Sequence, residues 1–207
     1  MHTAGYAITP TCPAGRATMN DIVDRWRAMD GTSLAMREMR PSDEARVKES
    51  LNKLSADARR NRFFVSIAEF SDAAVHRLVA IDPAREYLLV VLRRENDIDI
   101  PIAGGRFVHE DERPDCAFSL LVGDPWQGQG IGRRILKALI REASRRGLRR
   151  MYGHVLADNP RMLELARAQR FTIVESGQDK GVVLVDRQLP GRASQRWKDL
   201  VRCLWRR

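Results

Sequence analysis

The residues whose types and spacing point most directly to chemistry are Trp126-Gln127-Gly128-Gln129-Gly130-Ile131-Gly132-Arg133. They follow a buried-looking apolar run, 116–122, and open a long segment with helical periodicity. Amides in the first turn of a helix have no intrahelical partner and share the positive end of the helix dipole, so they can hold a pyrophosphate. Glycines at 128, 130 and 132 let the chain bend there and let phosphate oxygens reach the amides without a Cβ in the way. A glycine-rich turn that merely packs tightly is the plain alternative. A dinucleotide-binding turn is another, but the spacing is not Gly-x-Gly-x-x-Gly, and no strand with a terminal acid follows to hold a ribose.

The elements that must position this loop can be read from the periodicity. A strand at 34–39 precedes Pro41-Ser42-Asp43-Glu44, where Ser42 is expected to cap a helix running to about residue 54. A second helix is expected over 71–81, in a stretch holding two or three helices. Residues 87–93 and 100–109 alternate as neighbouring strands around a turn at Asn96-Asp97, and Gly104-Gly105 suggests a bulge or a close backbone approach. Residues 128–146 place Arg133, Lys137, Arg141 and Arg145 on one stripe and Ile131, Ile135, Leu136, Leu139 and Ile140 on the other side, as expected of a helix lying on a sheet. A strand at 149–156 should run parallel to 116–122 through this crossover. Asn159-Pro160 starts a short helix, and 171–174 with 182–189 closes a hairpin. The sum is an α+β chain with a mixed, mostly antiparallel sheet of about seven strands flanked by helices. Residues 1–33 read as a loosely ordered leader with a short helical patch at 22–29. The folded domain is expected over 34–189, followed by a basic amphipathic helix in 190–207.

Gln127-x-x-Gly130-x-Gly132, preceded by Phe118-Ser119-Leu120-Leu121-Val122, resembles the signature of the Gcn5-related N-acetyltransferases (GNAT). Val155-Leu156-Ala157-Asp158-Asn159, Met162-Leu163-Leu165-Ala166, Arg40-Pro41-Ser42-Asp43-Glu44 and Arg62-Phe63-Phe64 are similar to the bacterial protein lysine acetyltransferases of the Pat type. The resemblance implies a GNAT-type sheet and transfer of an acetyl group from acetyl-CoA to an amine, with a protein lysine as acceptor. It implies that Leu120, Leu121 and Val122 hold the pantetheine arm through their backbone, and that Gln127, Gly128, Gln129, Gly130, Ile131, Gly132 and Arg133 hold the pyrophosphate. Arg133 and Arg134 would add charged contacts. Asn159 would contact CoA, although helix capping accounts for it equally well.

The proton-transfer residue departs from the pattern. The Glu of Pat-type enzymes falls on Ala117, and the broader family's Tyr falls on Ala166. Asp115, two residues before Ala117, would share its face of the strand and is the catalytic candidate; Glu110 and Asp111 approach from the preceding strand end. Two alternatives stay open: a weakened acyl-CoA-binding regulatory module, and an enzyme for small-molecule amines.

The net charge of +9 favours anionic partners such as CoA phosphates or acidic protein surfaces, and much of it falls near the end, at Arg192, Arg196, Lys198, Arg202, Arg206 and Arg207. No regular basic and aromatic array suggests nucleic acid. Trp197, Leu200, Val201, Leu204 and Trp205 recur at helical spacing, so 193–207 is expected to dock on the domain, a partner or a membrane surface. No apolar run is long enough to span a bilayer and no secretory signal is evident, which makes the cytoplasm the expected location. The three cysteines are widely spaced and the four histidines lack ligand spacing, so neither disulfides nor a metal site is expected. Cys116 reads as a buried strand thiol rather than a nucleophile.

Overall fold

The computed structural model describes residues 22–65, 67–110, 113–175 and 181–190. Strands β1 (Ile22–Arg27), β2 (Ser33–Glu38), β3 (Glu86–Glu95), β4 (Ile98–His109), β5 (Asp115–Val122), β6 (Arg150–Leu156), β7 (Thr172–Glu175) and β8 (Val182–Gln188) form one sheet in the order β1-β2-β3-β4-β5-β6-β8-β7. Helices are α1 (Glu44–Asn52), α2 (Ala56–Phe63), α3 (Asp72–Val79), α4 (Ile131–Arg146) and α5 (Pro160–Ala168). Neighbouring strands run antiparallel except β5 and β6, which are parallel across the α4 crossover. This is the expected α+β architecture with one more strand than the seven or so read from the sequence. No helix among the described residues is long and apolar enough to cross a membrane.

The extra strand is β1. Residues 22–27 were expected to be helical, but they pair antiparallel with β2, from Ile22 opposite Arg37 to Arg27 opposite Ser33. Six residues are too few for a stable isolated helix, whereas the open edge of β2 supplies a ready ladder, and Val23 and Trp26 gain contact with the core. Residues 1–21 of the expected leader and 191–207 of the expected basic helix lie outside the described residues, as does Asp111.

The middle of the sheet is built by β3 and β4. Tyr87 to Leu92 is buried throughout, as a central strand covered on both faces requires. Asn96 and Asp97, at φ of 46° and 62°, make the two-residue turn between β3 and β4, where the twist of a hairpin favours left-handed residues. The bulge falls at Ile102, because Val91 faces Ala103 while Leu92 faces Pro101. Gly104 and Gly105 instead mark close approach: a Cβ on Gly105 would sit 2.4 Å from Ile135 Cγ2. Its absence lets α4 settle on β4 with Ile131, Ile135, Leu136, Leu139 and Ala143 almost fully buried.

Helices α1 and α3 cover the opposite face through Val47, Leu51, Val75 and Val79, joined by Phe63 of α2 and by Phe70 ahead of α3, with Leu121 of β5 packed beneath. The start of α1 is anchored by Asp43, not by Ser42. The Asp43 carboxylate accepts bidentate hydrogen bonds from Arg37 at 2.7 and 2.8 Å and one from the Arg40 backbone N–H at 2.9 Å. A 3-10 turn over Pro41–Asp43 therefore precedes the helix.

The parallel β5–β6 ladder is short. It joins Asp115, Cys116 and Ala117 to Arg150, Met151 and Tyr152 and then stops. Beyond it β5 stays on β4 as far as Val122, and β6 stays on β8 as far as Leu156. The strands part where the Phe118 ring packs over Gly153, with a Cβ at position 153 only 2.8 Å from that ring. Gly153→Ala should therefore displace Phe118 and cost roughly 1–3 kcal/mol as an overpacked core does, read as a lower midpoint in denaturant unfolding.

Candidate active site

Between the parted ends of β5 and β6 lies a cleft of about 580 Å³. Its floor is Phe118 to Val122, whose edge facing β6 has no strand partner and so offers free backbone donors and acceptors. Its far wall is the loop into α4, with Asn159 and Met162 of α5 opposite. The loop is shaped by a 3-10 turn over Asp124–Trp126 and by Gly128 and Gly130 at φ of 78° and 76°, where a side chain would be strained. A Cβ on either glycine would meet nothing within 4 Å, so both face open space. Gly130 is the N-cap of α4 and has no side chain to satisfy the first-turn amides of Ile131, Gly132 and Arg133. Gly132 serves packing instead, since a Cβ there would lie 3.2 Å from Leu165 Cδ2.

Gln127 braces the loop: its amide donates to the Val122 carbonyl at 3.2 Å and its Oε1 accepts from Arg161 at 2.6 Å. Of the expected ligand-holding residues, Leu120, Leu121, Val122, Gln127, Gly128, Gly130, Ile131, Gly132, Arg133 and Asn159 all line the cleft. Gln129 does not, because its side chain turns back to donate to the Pro125 carbonyl at 3.2 Å. Ile131 contributes only backbone, its side chain being core. Arg134 points away to β1, where it pairs with Asp24 at 3.0 Å and stacks 4.8 Å over Trp26. Asn159, on the cleft wall, caps α5 by accepting from the Met162 N–H at 3.1 Å.

A second cavity of about 250 Å³ lies on the other side of β5, between the sheet and α1, α2 and α3. Arg62, Ser119, Leu121 and Trp126 belong to the walls of both cavities, so the two meet there. Helix α2 is fastened over this junction. Its N-cap Ser55 donates from Oγ and from its backbone N–H to the Asp124 carboxylate at 2.6 and 2.9 Å. Burial works to raise the Asp124 pKa, and the Ser55 hydrogen bonds outweigh it and hold the carboxyl below its ordinary value. Arg59 donates to the Asn52 and Ile67 carbonyls at 2.8 Å each, and Arg60 pairs with Asp158 at 3.0 Å. Sequence reading quoted Arg62 only as part of a resemblance and missed the junction. A residue on a short, weakly amphipathic helix gives no local signal of where its side chain ends.

No carboxylate of β5 lines either cavity. Ala117 lines neither cavity, and neither does Asp115, the catalytic candidate. Asp115 lies 3.4 Å from Arg150, which also pairs with Asp186, so its charge is already matched at the closed end of the strand pair. Cys116 is buried, its S–H directed to the Arg150 carbonyl, and burial together with the Asp115 charge pushes its pKa up to about 12. Ala166 is core. The proton-accepting side chains on the cleft wall are His154 and Glu164, neither of which the sequence pattern singled out.

The sequence profile of the Acetyltransferase (GNAT) family matches residues 48–171, from within α1 to the end of the α5 turn. The chain belongs to this family. Among similar proteins, an acetyltransferase of Pseudomonas aeruginosa is 30% identical over 142 residues, covering 69% of this chain and 76% of that protein. The acetyltransferase Pat of Mycolicibacterium smegmatis is 30% identical over 156 residues, which is 75% of this chain but only 45% of Pat. This GNAT chain thus spans less than half of the mycobacterial protein. The crystal structure of the GNAT domain of S. lividans PAT superposes with a TM-score of 0.72 at 21% identity, over 84% of this chain and 100% of that one, and shares its fold.

Two outcomes test this geometry. Gly130→Ala places a side chain in a left-handed conformation costing about 1 kcal/mol or more and aims a Cβ into the cleft; calorimetry should show acetyl-CoA binding weakened by about tenfold. At pH 8, far below the raised Cys116 pKa, the thiol is protonated and buried, so peptide mapping should find Cys116 unmodified by iodoacetamide until the protein is denatured.

Proposed function

We propose that this chain transfers the acetyl group of acetyl-CoA to the side-chain amine of a protein lysine. The observation that carries the reading is the meeting of two cavities at Ser119 and Leu121, one bounded by an amide-rich helix start and the other by apolar helices. The first suits a pyrophosphate at Ile131, Gly132 and Arg133, with a pantetheine arm along the free edge of Leu120 to Val122. The second suits an acceptor with an apolar stem. The lysine acceptor draws on the resemblance to Pat-type enzymes.

In this reading the two substrates are held end to end, and proximity supplies much of the rate. The neutral amine attacks the thioester carbonyl carbon, forming the C–N bond and an oxyanion that unpaired β5 amides stabilise. The C–S bond then breaks and CoA leaves as the thiolate, which takes up a proton. The amine loses its proton to solvent in the cleft, where His154 and Glu164 are the acceptors on the wall. A well-placed base contributes about 10²- to 10⁴-fold, so a strand with Ala117 in place of Glu makes a slow enzyme.

The side chains of β5 favour a second reading. With Ala117 at the family's base position and Asp115 paired to Arg150, the domain could serve as an acyl-CoA-binding regulatory module. Acetylation of a lysine peptide, followed by mass spectrometry in the native chain, Ala117→Glu and Asp115→Asn, separates the readings. We expect transfer by the native chain, an increase of about tenfold or more in Ala117→Glu, and little change in Asp115→Asn. No transfer by any of the three, with acetyl-CoA still raising the melting temperature, would leave the binding module.

A further inference from the structure

The charges around the acceptor cavity are unbalanced. Lys53, Arg62, Arg93 and Arg106 line it, against one acid, Asp124. Arg93 is matched by Glu95 at 2.7 Å and Arg106 by Glu86 at 3.2 Å, while Asp124 is occupied by Ser55. Lys53 and Arg62 have no acidic partner among the described residues. Lys53 is exposed and tolerates this easily, but Arg62 does not. Its side chain is partly buried, with the guanidinium 4.9 Å from the Phe63 ring centre and close enough to Arg106 to feel its charge. Burial first and Arg106 second push its pKa down to about 10, so it remains a cation at neutral pH in a place that disfavours one.

An unmatched, partly buried guanidinium at the junction of the two cavities calls for an anion from a ligand. CoA does not supply it there. The start of α4 and Arg133 suit the phosphates, and the thioester end that would reach Ser119 and Leu121 is uncharged. The anion therefore comes with the acceptor. An acceptor carrying only positive charge, as a polyamine does, would be repelled by Arg62 and Lys53, whereas a carboxylate beside the reacting amine would form a two-pronged pair with the guanidinium. The apolar side of the cavity, Leu51, Leu54, Leu78 and Val79, fits a lysine's four methylenes.

Resting on the lysine-acceptor reading, we infer that the preferred acceptor is a lysine flanked by Asp or Glu, whose carboxylate pairs with Arg62 at the junction while Lys53 receives a second acid at the cavity mouth.

Three blocked peptides test this, each with a single lysine and flanked on both sides by Glu, Gln or Arg. With acetyl-CoA and the full chain, kcat/KM should be about tenfold higher for the Glu than for the Gln peptide, lowest for the Arg peptide, and the preference should shrink as salt rises. Arg62→Gln should bring the Glu/Gln ratio close to one, Arg62→Lys should keep part of it, and Lys53→Gln should lower it less. An acetyl-CoA-induced rise in melting temperature shows that each variant is folded. Equal use of the Glu and Gln peptides, or an Arg62→Gln variant that slows all peptides equally and keeps their ratio, would overturn the inference. If no peptide is acetylated while CoA is released with free amino acids, the lysine reading itself fails and this inference with it.

Discussion

The parallel pairing of β5 with β6 organises everything on the functional side of the molecule, and it does so by stopping after Ala117 and Tyr152. Had it continued, the backbone of Phe118 to Val122 would be spent on strand hydrogen bonds and no cleft would open beside it. The parting has a packing cause. Phe118 tilts against Phe171 at 5.2 Å and lies over Gly153, so the space a second ladder would need is taken by a ring that the core holds in place. Strand β5 then keeps β4 as its single neighbour and β6 keeps β8, and each retains a full ladder on its other side. The sheet loses little by opening there and gains an edge of unpaired amides beside the start of α4.

The opposite face has to be held as firmly, because α2 closes the junction of the cavities. Its own sequence contributes little to its stability: eight residues with three arginines are well below the length at which a helix persists alone. Tertiary ties substitute for propensity. Ser55 joins its start to the loop that leads into α4, Arg59 satisfies carbonyls of the neighbouring chain, and Arg60 reaches Asp158 ahead of α5. The same loop that leads into the start of α4 therefore also positions α2 over the junction of the two cavities. A shift of one would be transmitted to the other through Asp124.

What the sequence disclosed follows this division between local and long-range causes. The loop at 127–133, the α4 stripe, the β3–β4 turn and the Asn159 cap are each governed by residues within a turn or two of one another, and the parallel crossover by the general rule for a strand, a helix and a strand, so all were legible. Ile22–Arg27 was not, because six residues satisfy a helical and a strand pattern about equally and only the free edge of β2 decides between them. Ser42 was the natural cap by type, but a bidentate bond from Arg37, brought in from β2, made Asp43 the anchor. Arg134 was placed with the phosphates by its position at the helix start, yet Asp24 and Trp26 of β1 attract it away. In each case the deciding partner comes from another element, beyond the reach of spacing rules.

The missing carboxylate at Ala117 and the unmatched cation at Arg62 bear on the same difficulty. The Glu that the family resemblance sets at position 117 would add both a proton acceptor and a negative charge to β5. Without it, the cations on the cavity wall favour the neutral form of an approaching amine, as the Arg106 charge, second to burial, helps to lower the pKa of Arg62. The acceptor then sheds its proton more readily before attack, which lessens the demand for a dedicated base. The field that helps deprotonate the amine also repels the ammonium that must first arrive. An acceptor bearing its own carboxylate resolves that conflict, since the acid draws the peptide in while the amine alone meets the thioester.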